Sequence, residues 1–186
     1  MTQYKVEIEG ISGIKFDKWI DGMQPKNEDG YRKQAELKVY RDEDGDVSIP
    51  ASAIKASMKL ASSEIGRKME AKKNRQTIQS AVFLEPEMLS IGKKTYDGIA
   101  EDIVTRKGTG DKVTRVKTFR PIVKKGWKVS FELNVFGVPK EFLRECLDLA
   151  GLRFGLLSHR PEFGRFQVNK FVELADEKSK TSKGSK

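Results

Sequence analysis

Trp127, Val129, Phe131, Leu133 and Val135 alternate without a break with Lys128, Ser130, Glu132 and Asn134. Successive side chains of a strand point to opposite faces, so this segment reads as a strand with one buried face. Pro139 then opens a helix in which Phe142, Leu143, Cys146, Leu147, Leu149 and Ala150 face inward, with Gly151 as its expected end. A further strand is expected over about 164–174, with Phe166, Val168 and Phe171.

No internal repeat is found, but the first half also reads as strand, helix and strand. Tyr4, Val6 and Ile8 alternate with Gln3, Lys5, Glu7 and Glu9, a half-buried strand that Ile11, Ile14 and Phe16 continue past a glycine bulge. Residues 21–30 read as a loop, and 35–49 as a hairpin turning at Asp44-Gly45, with Leu37, Val39, Val47 and Ile49 as its apolar positions. Pro50 precedes a helix with Ser52 as the expected N-cap and Ile54, Met58, Ala61 and Ile65 as its apolar stripe. Residues 80–91 read as a strand broken at Pro86.

With the hairpin and the stretch 92–125 set aside, the order is βαββαβ. The expected fold class is therefore α+β, with the ferredoxin-like core that RNA-recognition-motif domains share. A hairpin insertion precedes its first helix, and a basic insertion over about 92–125 separates its second and third strands. One domain is expected over residues 1–175, and residues 176–186, rich in Lys and Ser, are expected to form a disordered basic tail.

The 186-residue chain has a net charge of +9, and the excess is concentrated. Between 103 and 128, Arg106, Lys107, Lys112, Arg115, Lys117, Arg120, Lys124, Lys125 and Lys128 face Asp111 alone. Between 52 and 75, Lys55, Lys59, Arg67, Lys68, Lys72, Lys73 and Arg75 face Glu64 and Glu70. The remainder is slightly acidic. Such segregation points to a polyanionic partner, nucleic acid before an anionic membrane surface. No apolar run approaches the roughly 20 residues a membrane helix needs. The start carries no signal-peptide pattern, so a cytoplasmic protein without a membrane partner is expected. A single cysteine, Cys146, and a single histidine, His159, leave no disulfide framework and no multi-histidine zinc site, and no cofactor is expected.

Three patterns bear on chemistry. Asp42, Asp44 and Asp46 have the spacing that starts an EF-hand, but Val47 replaces its glycine and Ala53 its glutamate, so they read as a solvated hairpin tip. Gly92-Lys93-Lys94-Thr95 lacks the upstream glycine of a phosphate-binding loop. The segment from Gly151 to Phe166 is richer. Its glycines allow close backbone approach, Arg153, Arg160 and Arg165 offer phosphate contacts, and Phe163 and Phe166 are either stacking faces or core. Ser158 and His159 lie in the same loop; His159 reads as a general base for RNA cleavage or as a stacking or phosphate contact.

Two segments together resemble a known family. Ile49-Pro50-Ala51-Ser52-Ala53-Ile54-Lys55-Ala56-Ser57-Met58-Lys59 is similar to the segment that opens the first helix in the RAMP superfamily of CRISPR-associated RNA-binding proteins. Gly151-Leu152-Arg153-Phe154-Gly155 through Arg160-Pro161-Glu162-Phe163-Gly164-Arg165-Phe166 resembles that superfamily's glycine-rich loop before its last strand. The resemblance implies a non-catalytic subunit that self-associates along a guide RNA and presents it for pairing with a target nucleic acid. It places Ser52, Lys55 and Lys59 near the guide backbone. The basic insertion becomes a clamp, with Arg106, Arg115, Lys117, Phe119, Arg120 and Trp127 over the RNA of a neighbouring subunit. Charge reversal at Arg115, Lys117 and Arg120 is then expected to weaken assembly and leave the fold intact. A guide-processing endoribonuclease using His159 and a coat protein for single-stranded nucleic acid are the alternatives.

Overall fold

A computed structural model describes residues 1–21, 27–107 and 113–174. The expected tail over 176–186 and the tip of the basic insertion lie outside these residues. The chain is α+β with antiparallel sheets. The main sheet holds β1 (Thr2–Gly10), β4 (Val82–Glu85), β8 (Lys128–Val135) and β9 (Phe166–Leu174) in the order β4-β8-β1-β9. Every neighbouring pair is antiparallel, and the register aligns Tyr4 with Leu133, Val6 with Phe131 and Val82 with Val135. These alternating apolar residues form one face. Onto it pack α2 (Ala51–Ala61), through Ile54, Met58 and Ala61, and α4 (Lys140–Leu149), through Leu143, Cys146 and Leu147. Burial pushes the Cys146 thiol up to about 12, which removes it as a nucleophile. No helix among the described residues is long and apolar enough to cross a membrane.

Between β4 and β8 the chain makes β5 (Met88–Ser90) and then a two-stranded ribbon of β6 (Gly98–Lys107) and β7 (Val113–Val123). β5 pairs with β3 (Ser48–Pro50), and the two-residue strand β2 (Ile14–Lys15) joins the ribbon at Ile122 and Val123. Pro86 interrupts the segment 80–91 where expected, between β4 and β5.

Several local expectations are corrected. Residues 28–37 form α1 (Glu28–Leu37), which takes over the first arm of the expected hairpin and leaves a single Arg41–Val47 bridge around the Asp44-Gly45 turn. Asn27 caps α1 by accepting a hydrogen bond from the Gly30 amide at 2.9 Å, and Glu28 and Asp29 favour its first turn. Ser52 is not the cap of α2; Pro50 holds that position and no side chain caps the helix. A further helix, α3 (Ala71–Ala81), packs beside α2. Gly151 does not end α4, because the chain continues through a π turn over Ala150–Phe154 and stops at Gly155, with φ 70°.

The glycine-rich loop approaches its own backbone. A Cβ on Gly151 would strike Phe166, and one on Gly164 would strike the Leu156 main chain. Gly164, at φ 76°, exchanges backbone hydrogen bonds with Gly13 and Leu156. Gly164→Ala therefore combines a left-handed backbone with a main-chain collision. It is expected to cost about 2 kcal/mol or more and to lower the melting temperature by about 4 °C or more, read by calorimetry. An unchanged melt would remove the close-approach account.

Candidate nucleic-acid interface

The register fixes where the basic segments sit. Gly10, Lys128 and Phe166 lie at one end of the main sheet, and β4 runs toward that end. The Ala51 amide donates to the Glu87 carbonyl, so α2 starts at this end. The ribbon leaves from it beside β2, and the loop 155–165 folds back over it through the Ile11 and Gly164 amides. The uncapped start of α2, with no acidic residue in its first turn, thus shares this end with the ribbon base and the arginine loop. Free amides at a helix start favour an anion.

Ion pairing sorts the expected contacts. Lys117 reaches Glu101 at 2.9 Å and Glu28 at 3.8 Å, and Arg153 pairs with Glu64. Arg120 is only 8% exposed; it binds Asp17 at 2.8 Å and Asp102 at 3.3 Å. Phe119 is buried, with the Arg32 guanidinium of α1 over its ring at 4.6 Å. Trp127 is buried against Gly10, its indole donating to the Ser12 carbonyl. Arg120, Phe119 and Trp127 therefore build the ribbon base and are not free to grip a strand. The expectation that Arg120 lies outside the core is corrected, because α1 covers the ribbon and draws its base into a packed unit. Arg106 lies on β6, and its side chain is outside the described residues.

The remaining cations are different. Among the described residues, Lys55, Lys59, Lys72, Lys73, Arg75, Arg115, Arg160 and Arg165 have no carboxylate partner. Lys55 lies over the Phe83 ring, and Lys59 donates to Gln79 on α3 at 2.8 Å. Burial, and next the charge of Lys59, hold the Lys55 ammonium below the ordinary lysine value. An arriving phosphate would relieve that repulsion. Ser52 is exposed at the start of the same helix.

A charged cluster ties the ribbon to the arginine loop. Lys15, only 5% exposed, donates to Asp102 on β6 at 2.7 Å and lies 4.0 Å from the Phe163 ring centroid. His159 has φ 58°, its Nε2 lies 3.7 Å from Asp102, and its Nδ1 lies 3.1 Å from the Ser158 hydroxyl. Burial alone would raise Asp102, but Lys15 and next His159 and Arg120 outweigh it and hold the carboxyl below its ordinary value. Phe166 is core.

The outward face of the main sheet has another character. Lys5, Glu7, Glu9, Ser130, Glu132 and Glu85 stand there, with Glu7 and Glu9 engaged by Lys170 and Lys128. An open groove of about 520 Å³ on this face is lined by Lys5, Glu85, Pro86, Ser130, Phe131 and Glu132. The facing glutamates repel a phosphate, and Phe131, the one aromatic residue lining the groove, is buried and offers no ring to stack a base. Asp42 and Asp46 are likewise occupied. Asp42 accepts from the Asp46 amide and the Ser48 hydroxyl, and Asp46 pairs with Lys94 at 2.8 Å. No cluster able to hold a metal ion occurs among the described residues.

An α+β domain with antiparallel sheets and unpaired cations on α2, α3 and the loop 158–165 is the class of protein that fold and site define. Compared with family profiles and with curated proteins, the chain matches none.

Proposed function

We propose that the chain is a non-catalytic RNA-binding subunit that assembles side by side along a guide RNA and holds it for pairing with a target strand. The observation that carries the reading is the sorting of cations. On the sheet's outer face Lys128 and Lys170, and on the ribbon Lys117 and Arg120, are neutralised by carboxylates, while Lys55 and Lys59 on α2, Lys72, Lys73 and Arg75 on α3, and Arg160 and Arg165 in the loop are not. A surface that binds phosphate keeps its charges free. The strand order supports the reading as well, because β1, α2, β4, β8, α4 and β9 follow the split βαβ sequence of ferredoxin-like RNA-binding cores. Contacts to phosphate hold any guide, and base pairing then reads the target.

Purification at low salt tests this. RNA is expected to copurify and to set a discrete number of subunits; a nucleic-acid-free monomer contradicts it. Competition between RNA and DNA strands separates a guide-binding subunit from a coat for single-stranded DNA.

A second reading rests on His159, which is held between the Ser158 hydroxyl and Asp102 in a strained, left-handed conformation. That geometry fits a base for guide-precursor cleavage. His159→Ala is then expected to abolish cleavage and spare binding, and a wild type that cleaves nothing ends this reading.

A further inference from the structure

Two large rings stand exposed at the edge of the main sheet. Phe83 on β4 is 45% exposed and Phe136, just past β8, is 52% exposed. Their centroids lie 6.0 Å apart with ring planes at 88°. Such an edge-to-face pair forms a notch in which one ring is the floor and the other the wall. Lys55 reaches over Phe83 at 4.8 Å, and Lys59 follows one turn along α2. Neither lysine has a carboxylate partner among the described residues. Glu85 and Glu132, paired across the next positions of the same face, place negative charge farther along the sheet from Phe83.

We propose that Phe83 and Phe136 form a stacking site for one nucleobase of a single-stranded RNA whose phosphate is held by Lys55 and Lys59. This rests on the RNA-binding reading above and adds a base contact to it. Two phenylalanine rings are far too small an apolar area for a stable protein interface. An aromatic face next to unpaired cations matches the two halves of a nucleotide. The contact discriminates little between bases, since every base offers a flat face. The negative charge of Glu85 and Glu132 disfavours a phosphate chain across the sheet, so the strand turns toward α2.

The test compares wild type with Phe83→Leu/Phe136→Leu, each titrated at fixed salt with an RNA oligonucleotide and with the same strand made abasic. Both rings are half exposed, so leucine keeps much of the buried apolar contact; far-UV circular dichroism and the melting temperature check the fold. Wild type is expected to prefer the base-bearing strand, and the variant to lose about five-fold or more of that preference, with unchanged affinity for the abasic strand and unchanged salt dependence. A variant that keeps the full preference overturns the site and leaves the RNA-binding reading standing. A variant that keeps it but changes sedimentation overturns the site in favour of a protein contact. A wild type that binds neither strand overturns the RNA-binding reading and the site with it.

Discussion

Neutralising Lys55, Lys59, Arg160 and Arg165 to glutamine is expected to weaken binding of single-stranded RNA by about a hundred-fold at low salt. The slope of log affinity against log salt should shrink by about 3, near 0.7 for each phosphate released from a single strand. These four cations have no carboxylate partner among the described residues, so no neighbouring negative charge offsets theirs. A control of equal charge change is available in Lys117, Lys128, Lys140 and Lys170. Each is paired with a carboxylate, namely Glu101, Glu9, Glu173 and Glu7. Their replacement removes the same formal charge and is expected to change affinity by less than about ten-fold, because exposed pairs contribute little and already spend their field on a neighbour. Filter binding across a salt series measures both sets. Equal losses from the two would mean that net charge alone drives binding and that the unpaired cations are not a site.

Arg120→Ala is expected to destabilise the fold by about 3 kcal/mol, a drop of about 6–12 °C in melting temperature. The guanidinium bridges Asp17 and Asp102 from a nearly buried position, and Asp102 is shared with the equally buried Lys15. Removing one cation leaves carboxylates in a poorly hydrated setting with less compensation, which costs more than the intact cluster contributes. The same cluster sets an acid limit. Asp102 is held below its ordinary value in the folded chain, so its contribution is present above the unfolded value of about 4 and is lost as pH falls through the lower folded value. Stability should therefore drop on acidification below about pH 4, and Asp102→Asn should flatten that limb while lowering stability at neutral pH. Chemical denaturation at several pH values reads both effects. An unchanged melt for Arg120→Ala would show that the ribbon base is not held by this cluster.

The main sheet was legible because its signal is local. The period-two alternation of β1 and β8 and the apolar stripes of α2 and α4 each specify one buried face. The helices α1 and α3 were not, since each buries almost nothing: Ala35 in the first and Ile78 in the second. Their readable signals were Asn27 followed by Glu28 and Asp29, and the run of good helix formers after Glu70. The site was half legible. The basic segments were visible as composition, but which cations are free depends on partners far along the chain, such as Lys15 with Asp102 and Arg120 with Asp17, and no local pattern encodes these pairs. For the same reason Phe119 and Trp127, beside Arg120 and Lys128 in sequence, turned out to be core, while Phe83 and Phe136 became the exposed pair only because β4 lies at a sheet edge next to β8.

The most direct measurement is ultraviolet cross-linking of the chain to single-stranded RNA, followed by peptide mapping. Cross-links are predicted within residues 51–59 and 158–166 and at Phe83 or Phe136. Cross-links confined to the outer sheet face around Lys5 and Ser130, or no retained RNA at low salt, would contradict the claim that the unpaired cations of α2 and the loop 158–165 hold a strand.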